Sequence, residues 1–431
     1  MSAAIAIQPG PLSGMLAVPP SKSVAHRAVI AAALAKGESR ISNLEMSQDI
    51  AATVGAMRAF GAEIRLEQDE SGRYTVIIHG IDEPAEMPLI DCGESGSTLR
   101  FLIPVALAVA GGAQFTGSGR LGQRSLGPYE QLCKENGIVF DQIDGGFPLK
   151  AQGCLKPGRY VVPGNVSSQF VTGLLLALPL LPGPSTVMVK GKLESLPYVD
   201  ITLDMLRRFG VVVGERQRGV LYQVVGKQAF QPQCLSVEGD WSQAAFLLLM
   251  GLLSGPVILT GLDCGSAQGD RAIQTIFREM GGALVWEGDA LTARPSSLHA
   301  ISADVSQCPD LAPAIAAAMA VAEGESRITG GRRLRDKESD RIAAIADCLN
   351  GLGADVTETE DGMIIRGKDH LTGGTVDSCN DHRIAMMAAA VSHACAGPVI
   401  LSGHVAVKKS WPGFWDAFRL LGGVFDEQHL G

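Results

Sequence analysis

The chain repeats itself. Six times, at a spacing of roughly 70 residues, a short cluster of small polar or charged residues runs into an alanine- and leucine-rich stretch that usually reaches a glycine. The clusters are Ser21-Lys22-Ser23, Ser95-Gly96-Ser97, Ser167-Ser168-Gln169, Asp240-Trp241-Ser242-Gln243, Asp310-Leu311-Ala312 and Asn380-Asp381-His382-Arg383. Each apolar stretch leads into a β-rich segment, a charged loop and a second helix-like segment. The second segments also match one another: AMRAFGAEI, QLCKENGIVF, MLRRFGVVV, FREMGGALV, CLNGLGADV and FRLLGGVF. Such a repeat restricts the fold to one supersecondary unit used again and again. Polar residues at a helix start satisfy backbone N–H groups that lack a partner within the helix, and that end carries partial positive charge. Packed together, such ends form a site for anions.

Hydrophobic periodicity fills in one unit. Val24–Ala35 reads as a buried helix ending at Gly37, and Ser39–Leu44 as a strand. Ser47–Phe60 is an amphipathic helix with Ile50, Val54, Met57 and Phe60 on one face and a stop at Gly61. Ile64–Leu66 and Tyr74–Ile78 follow as antiparallel strands. In later units Thr186–Val189, Val257–Thr260, Arg327–Thr329 and Val399–Ser402 take the strand slot. Tyr198–Phe209, Asp270–Met280, Ser339–Leu352 and Pro412–Leu421 take the second-helix slot. The opening segment Ile5–Pro20 alternates as a strand, with a turn at Pro9-Gly10-Pro11. Six units divide into two domains of three: residues 21–239, and residues 1–20 plus 240–431. The opening strand joins the second domain, so the chain crosses near 20 and near 240. An open solenoid is the alternative, but solenoid repeats run to about 20–50 residues with atypical polar caps.

Composition narrows the function. The 431 residues are 46% hydrophobic but only 5% aromatic, so aliphatic side chains fill a large core. A net charge of −9 argues against a nucleic-acid or anionic-membrane binder. Basic residues nevertheless gather near the repeated starts and the loops after them: Lys22, Arg27, Arg100, Arg120, Arg124, Arg341, Arg383, Lys408 and Lys409. That pattern suits a small anionic substrate. Nine cysteines without a CxxC pair read as isolated thiols in a reducing compartment. The N-terminus carries no signal-peptide pattern, and the run Phe170–Leu181 is too short for a bilayer and is broken by Pro179. A cytoplasmic protein is expected. No HExxH, GxSxG, Walker or dinucleotide motif occurs, so neither metal nor cofactor is expected. Chemistry then rests on side chains acting on substrates that bring their own reactive groups.

Each start has a plain reading and a chemical one. At the first, Ser21 and Ser23 cap a helix or bind an oxyanion, Lys22 adds a full charge, and Arg27 lies one turn further; the motif alone does not choose. Gly93–Arg100 is a glycine-bearing loop of phosphate-binding type with Arg100 one turn inside. Gln169 reaches a ligand or extends the cap set by Ser167 and Ser168. The second half carries the acids: Asp310, Glu338 within the run Arg335–Arg341, and Asp381. A charge run is usually a solvated face, and a carboxylate at a helix start is usually a cap. The chemical reading gains weight because these acids share the repeat phase of Lys22, Gly96 and Ser168.

PPSKSVAHR, GESGSTLR, GRLGQR, GNVSSQF, LPYVDITL, RLRDKESDR, NDHRIAM and KKSWP resemble, in order and along nearly the whole chain, the signatures of the 5-enolpyruvylshikimate-3-phosphate synthase family. The resemblance implies an α/β (α+β) fold of two domains. Each holds three βαβαββ units with inward-pointing helix N-termini, like an inverse α/β barrel, and the two domains close over the substrates. It implies transfer of the enolpyruvyl group of phosphoenolpyruvate to the 5-hydroxyl of shikimate 3-phosphate, with release of phosphate, by addition and elimination through a tetrahedral intermediate. Lys22, Ser23, Arg27, Ser167, Ser168, Gln169, Ser195, Tyr198, Asp310 and Lys337 would then hold shikimate 3-phosphate. Lys22, Gly96, Arg124, Gln169, Arg341, Arg383 and Lys409 would hold phosphoenolpyruvate. Asp310 would accept the hydroxyl proton and Glu338 would protonate carbon, with His382 supporting Glu338 and with Lys22 and Lys409 assisting. The KSWP alignment selects Lys409 over Lys408. Glyphosate is implied as an inhibitor, no cofactor is implied, and a monomer is expected. Glu94 departs from the Asn common in the family, and Ser97 from the Thr. Two rivals remain. The sister enzyme acting on UDP-N-acetylglucosamine usually has a Lys-Asn pair where Lys22-Ser23 stands here, and commonly a cysteine in the loop that here is Gly117–Ser125. A noncatalytic repeat-built anion binder accounts for the repeats but not for the acids at the helix starts.

Overall fold

The computed structural model describes residues 3–429. Its twelve α-helices alternate in character. The odd-numbered ones are the apolar helices after the polar clusters: α1 (Lys22–Leu34), α3 (Gly96–Val109), α5 (Ser168–Ala177), α7 (Trp241–Leu253), α9 (Ala312–Met319) and α11 (His382–Val391). The even-numbered ones are α2 (Gln48–Ala59), α4 (Gly127–Glu135), α6 (Leu196–Arg208), α8 (Ile273–Glu279), α10 (Arg341–Gly351) and α12 (Phe414–Leu420). Every residue of α7 other than Leu253, and every residue of α11, is buried, as expected of a helix that is apolar all round. Alanine lets such helices pack closely while Leu and Ile supply area, each fully buried side chain contributing about 1.5–3 kcal/mol. Truncating one of them, Leu174→Ala for instance, would cost about 2–5 kcal/mol.

Six four-stranded sheets share one pattern. In the second unit, Leu89–Asp91 lies parallel to Gly112–Thr116, which pairs antiparallel with Leu149–Gln152, itself antiparallel to Val139–Gln142. The parallel step spans α3, and Val139–Gln142 turns back into Leu149–Gln152 as a hairpin, as connection lengths require. Three sheets are completed by distant segments. Cys234–Ser236 closes the sheet of Glu38–Leu44. The opening segment forms two strands rather than one. Ala3–Gln8 lies between Val399–Ser402 and Val424–His429, and Gly14–Ala17 lies beside Val257–Thr260.

The chain divides into two compact units, Pro20–Val237 and the remainder, each with its own apolar core. In the first, α3 and α5 approach closely at Gly173, where a Cβ would come within 2.5 Å of the Arg100 carbonyl oxygen. Pro104, inside α3, has no N–H to offer that carbonyl. The Tyr129 hydroxyl donates to it instead, at 2.7 Å. This substitution seats the first turns of α3 and α5 beside each other. Among the described residues no helix is long and apolar enough to cross a membrane.

Candidate active site

In the unit Pro20–Val237 the helix starts are built from hydroxyls. Ser21, Ser95 and Ser167 cap α1, α3 and α5, accepting from the N–H of Val24, Thr98 and Gln169 respectively. A neutral cap satisfies an orphan donor without cancelling the positive helix end. Lys22, at the start of α1, donates to Asp49 Oδ2 at 2.6 Å. Arg27, one turn deeper and buried, donates to Thr202 Oγ1 (2.7 Å), the Ser23 carbonyl (2.6 Å) and the Tyr198 carbonyl (2.9 Å). Burial lowers its pKa and Tyr198 opposes that shift, yet a guanidinium remains a cation. Arg27 therefore fastens α1 to α6 and fixes the turn bearing Ser195 and Tyr198. Ser195 itself sits in the left-handed region at φ +55°, directly before α6.

The starts of α3 and α5 share a second network. Arg100 Nη1 donates to Gln169 Oε1 at 2.8 Å, and Gln169 Nε2 donates to Ser97 Oγ at 3.0 Å. The backbone N–H of Gln169 takes the Ser167 cap, and its side-chain amide is oriented by Arg100. Arg124 follows a short 3-10 turn (Leu121–Gln123) and is buried. Its Nη1 lies where a Cβ on Gly96 would come within 2.8 Å, so glycine at 96 admits the guanidinium to the helix start. The Glu94 carboxylate folds toward Gly119, where a Cβ would meet Oε2 at 2.5 Å.

In the other unit, carboxylates replace the hydroxyls. Asp240, Asp340 and Asp381 cap α7, α10 and α11. The fifth start differs from expectation. Asp310 does not open the α-helix but sits in a 3-10 turn, Pro309–Leu311, with α9 starting at Ala312. This turn brings the Asp310 carboxylate among three cations. Arg341 Nη1 donates to Oδ1 at 3.0 Å, Arg383 Nη2 to Oδ2 at 2.9 Å, and Lys337 Nζ lies 3.5 Å from Oδ1. Burial alone would raise the Asp310 pKa; Arg383, Lys337 and Arg341 together overcome it and hold the carboxyl well below its usual range. Lys337 is lowered, by burial first and by Arg341.

Arg341 is the hub. Only 1% exposed, it donates to Asp310, to Glu338 Oε2 at 2.5 Å and to Asp381 Oδ2 at 2.9 Å. Burial lowers its pKa, but Asp381, Glu338 and Asp310 more than reverse that. Arg383 also donates to Ser242 Oγ at 3.1 Å, so the starts of α7, α9, α10 and α11 are joined by charged hydrogen bonds. Two consecutive left-handed residues, Cys379 (φ +52°) and Asn380 (φ +54°), lead into α11. They aim the Asn380 carbonyl at Lys409 Nζ, 2.7 Å away. His382 is buried, its Nδ1 3.9 Å from Asp381 Oδ1.

Each sequence-predicted residue thus lies at or next to a helix start or its following loop. Those of the first half share networks within one unit, and Asp310, Lys337, Glu338, Arg341 and Arg383 form one cluster in the other. The reading of the sequence missed Asp49 as a site component and gave Ser242, the partner of Arg383, no role in the site. Asp49 looked like an ordinary first-turn acid on an amphipathic helix, and only the fold places it against Lys22. Among the described residues no group of three or more His, Cys, Asp or Glu is placed to hold a metal.

The sequence matches the family described as EPSP synthase (3-phosphoshikimate 1-carboxyvinyltransferase) over residues 7–418. A 3-phosphoshikimate 1-carboxyvinyltransferase of Clostridium kluyveri is 46% identical over 429 residues, covering 99% of both chains. Another, from Clostridium novyi, is 44% identical over 432 residues with the same coverage. Among solved structures, an EPSP synthase of Acinetobacter baumannii superposes with a TM-score of 0.82 at 27% identity, covering 99% of this chain and all of the other. The enolpyruvyl transferase NikO of Streptomyces tendae shares the fold, with a TM-score of 0.80 at 18% identity over the full length of both chains.

Proposed function

We infer the division of labour in the site from one premise: this chain belongs to the EPSP synthase family. It transfers the enolpyruvyl group of phosphoenolpyruvate to the 5-hydroxyl of shikimate 3-phosphate and releases inorganic phosphate. In the addition half, the 5-hydroxyl loses its proton, its oxygen bonds to C2 of phosphoenolpyruvate, and C3 gains a proton. In the elimination half, C3 returns a proton and the C2–O bond to phosphate breaks. Each half needs a base and an acid beside the reacting atoms.

Lys22, Ser23, Arg27, Ser167, Ser168, Gln169, Ser195 and Tyr198, with Asp310 and Lys337, hold shikimate 3-phosphate. Gly96, Arg124, Gln169, Arg341, Arg383, Lys22 and Lys409 hold phosphoenolpyruvate. Asp310 takes the hydroxyl proton and Glu338 protonates C3, with His382 supporting Glu338. One observation carries this reading: Asp310 is held ionised by Arg341, Arg383 and Lys337. A carboxylate clamped by three cations is ready to accept a proton but is a weak base. An anionic substrate that draws Arg341 and Arg383 to itself loosens the clamp and raises the proton affinity of Asp310. The base is thus strengthened when phosphoenolpyruvate is present.

The reading extends to a monomeric cytoplasmic enzyme that glyphosate inhibits by occupying the phosphoenolpyruvate groups. The decisive experiment measures phosphate release from phosphoenolpyruvate by purified protein. Release is expected only with shikimate 3-phosphate present. Release with UDP-N-acetylglucosamine instead would overturn the assignment in favour of the sister transferase, and no release with either would overturn the chemistry.

A further inference from the structure

We propose that His26, Thr53, Thr98 and Ser95 form a buried, one-directional hydrogen-bond relay that positions the Gly96 start of α3 against Lys22. All four residues are at most 1% exposed. His26 Nδ1 lies 2.7 Å from Thr53 Oγ1, Thr53 Oγ1 lies 2.7 Å from Thr98 Oγ1, and Thr98 Oγ1 donates to Ser95 Oγ at 2.7 Å. Ser95 Oγ also accepts the Thr98 N–H at 3.1 Å, which is the cap of α3.

The direction follows from counting protons. A hydroxyl carries one hydrogen. Thr98 spends its hydrogen on Ser95, so Thr53 must donate to Thr98. Thr53 has then spent its own, so His26 must donate to Thr53 from Nδ1. The ring is therefore the Nδ1–H tautomer, with a bare lone pair at Nε2. His26 Nε2 is indeed buried without a hydrogen-bond partner among the described residues. Burial, with Lys22 and Arg27 adding to it, holds the His26 pKa well below its ordinary value, which keeps the ring neutral.

The placement of the relay supplies its purpose. His26 is one helical turn below Lys22 on α1, and Thr53 is one turn below Asp49 on α2. The Lys22–Asp49 pair thus ties α1 to α2 at the rim, and the relay ties both to the start of α3 one turn beneath. Two stacked crosslinks fix the height of Gly96 relative to the Lys22 ammonium. Hydroxyls suit this task because they add no charge to a helix end that must attract an anion. His26, Thr53 and Thr98 are positioning residues, since they act through Lys22 and Ser95-Gly96. The inference rests on the reading that Lys22 and Gly96 receive phosphoenolpyruvate.

The test is Thr53→Val against Thr53→Ser in the full chain. Thr53→Val keeps the shape and removes the donor. It is expected to raise KM for phosphoenolpyruvate at least about fivefold, with kcat and KM for shikimate 3-phosphate within about twofold, and Thr53→Ser is expected to restore it. An unchanged KM in folded Thr53→Val, or no rescue by serine, would overturn the proposal. A second measurement needs neither substrate nor variant activity. In protein labelled with 15N-histidine at neutral pH, the resonance lost in His26→Gln should report a neutral Nδ1–H ring with an unprotonated Nε2. An Nε2–H ring or an imidazolium would overturn the relay even in an active enzyme. Absence of shikimate-dependent phosphate release from the wild type would instead sink the functional reading and leave the tautomer result to judge the relay.

Discussion

The two units solve the same structural problem with opposite chemistry. Both arrange apolar helices so that polar starts meet. The unit Pro20–Val237 caps all three with Ser21, Ser95 and Ser167; the other caps α7 and α11 with Asp240 and Asp381, and leads into α9 with the 3-10 turn of Asp310 in place of a side-chain cap. Serine leaves the helix end electropositive, and the site adds Lys22, Arg27 and Arg124 to it. Aspartate neutralises the helix end, and the second unit then threads Arg341 and Arg383 among the acids. The contrast teaches that one repeated framework carries two kinds of helix start: hydroxyl-capped ends that stay electropositive, and carboxylate-capped ends whose acids are held in fixed geometry by counter-cations.

That contrast is open to direct attack. The largest effect is expected from Asp310→Asn and Glu338→Gln, each lowering kcat by about 10²–10⁴-fold while substrate dissociation constants change far less; near-normal turnover would remove that residue from its role. Next comes Asp381→Ala. It leaves the buried Arg341 with one fewer counter-ion and uncaps α11, so a loss of about 3 kcal/mol or more is expected in denaturant unfolding. In the serine-capped unit, Ser95→Ala should cost only about 1 kcal/mol by the same measurement. Equal losses at the two caps would erase the distinction drawn above.

Two further outcomes sharpen it. Gly96→Ala brings a Cβ to within 2.8 Å of Arg124 Nη1. A rise of about tenfold is expected in both KM for phosphoenolpyruvate and the glyphosate inhibition constant, a change of about 1.4 kcal/mol in each. Unchanged constants would show that the guanidinium moves aside freely. The smallest effect concerns acid. Asp310 has a depressed folded pKa, so its contribution to stability is present above about pH 4, where an unfolded carboxyl ionises. That contribution is lost as pH falls through the lower folded value. The stability gap between wild type and Asp310→Asn should therefore be flat from about pH 5 to 8 and close below about pH 4. A gap that narrows near neutral pH would mean that the clamp does not hold.

Much of this was legible in the residues. The six starts fall where the polar clusters predict, because N-caps and apolar periodicity are local signals spanning a turn or two. The short departures are local as well. Pro309 and Pro313 flank the fifth start, and the chain answers with a 3-10 turn that pulls Asp310 out of the α-helix. Asp49 was not legible as a partner of Lys22, since 27 residues separate them and nothing between marks the pairing. The same holds for Thr53 and Thr98, whose hydroxyls meet across 45 residues with nothing in the sequence to mark the contact.

By itself, then, the sequence determined the repeat, the positions of the helix starts, the type of cap at every start but the fifth, and the family to which the chain belongs. Those properties depend on neighbours within a few residues or on motifs read in order. The tertiary structure alone decided which groups meet. It set Arg27 against Thr202 across 175 residues and Arg383 against Asp310 across 73. It carried the opening strands into sheets with Val399–Ser402 and Val257–Thr260. The physical reason is range. A cap or an apolar stripe is stabilised by contacts along one helix, whereas pKa shifts, buried ion pairs and hydroxyl relays arise only when packing removes water and brings distant side chains to hydrogen-bond distance.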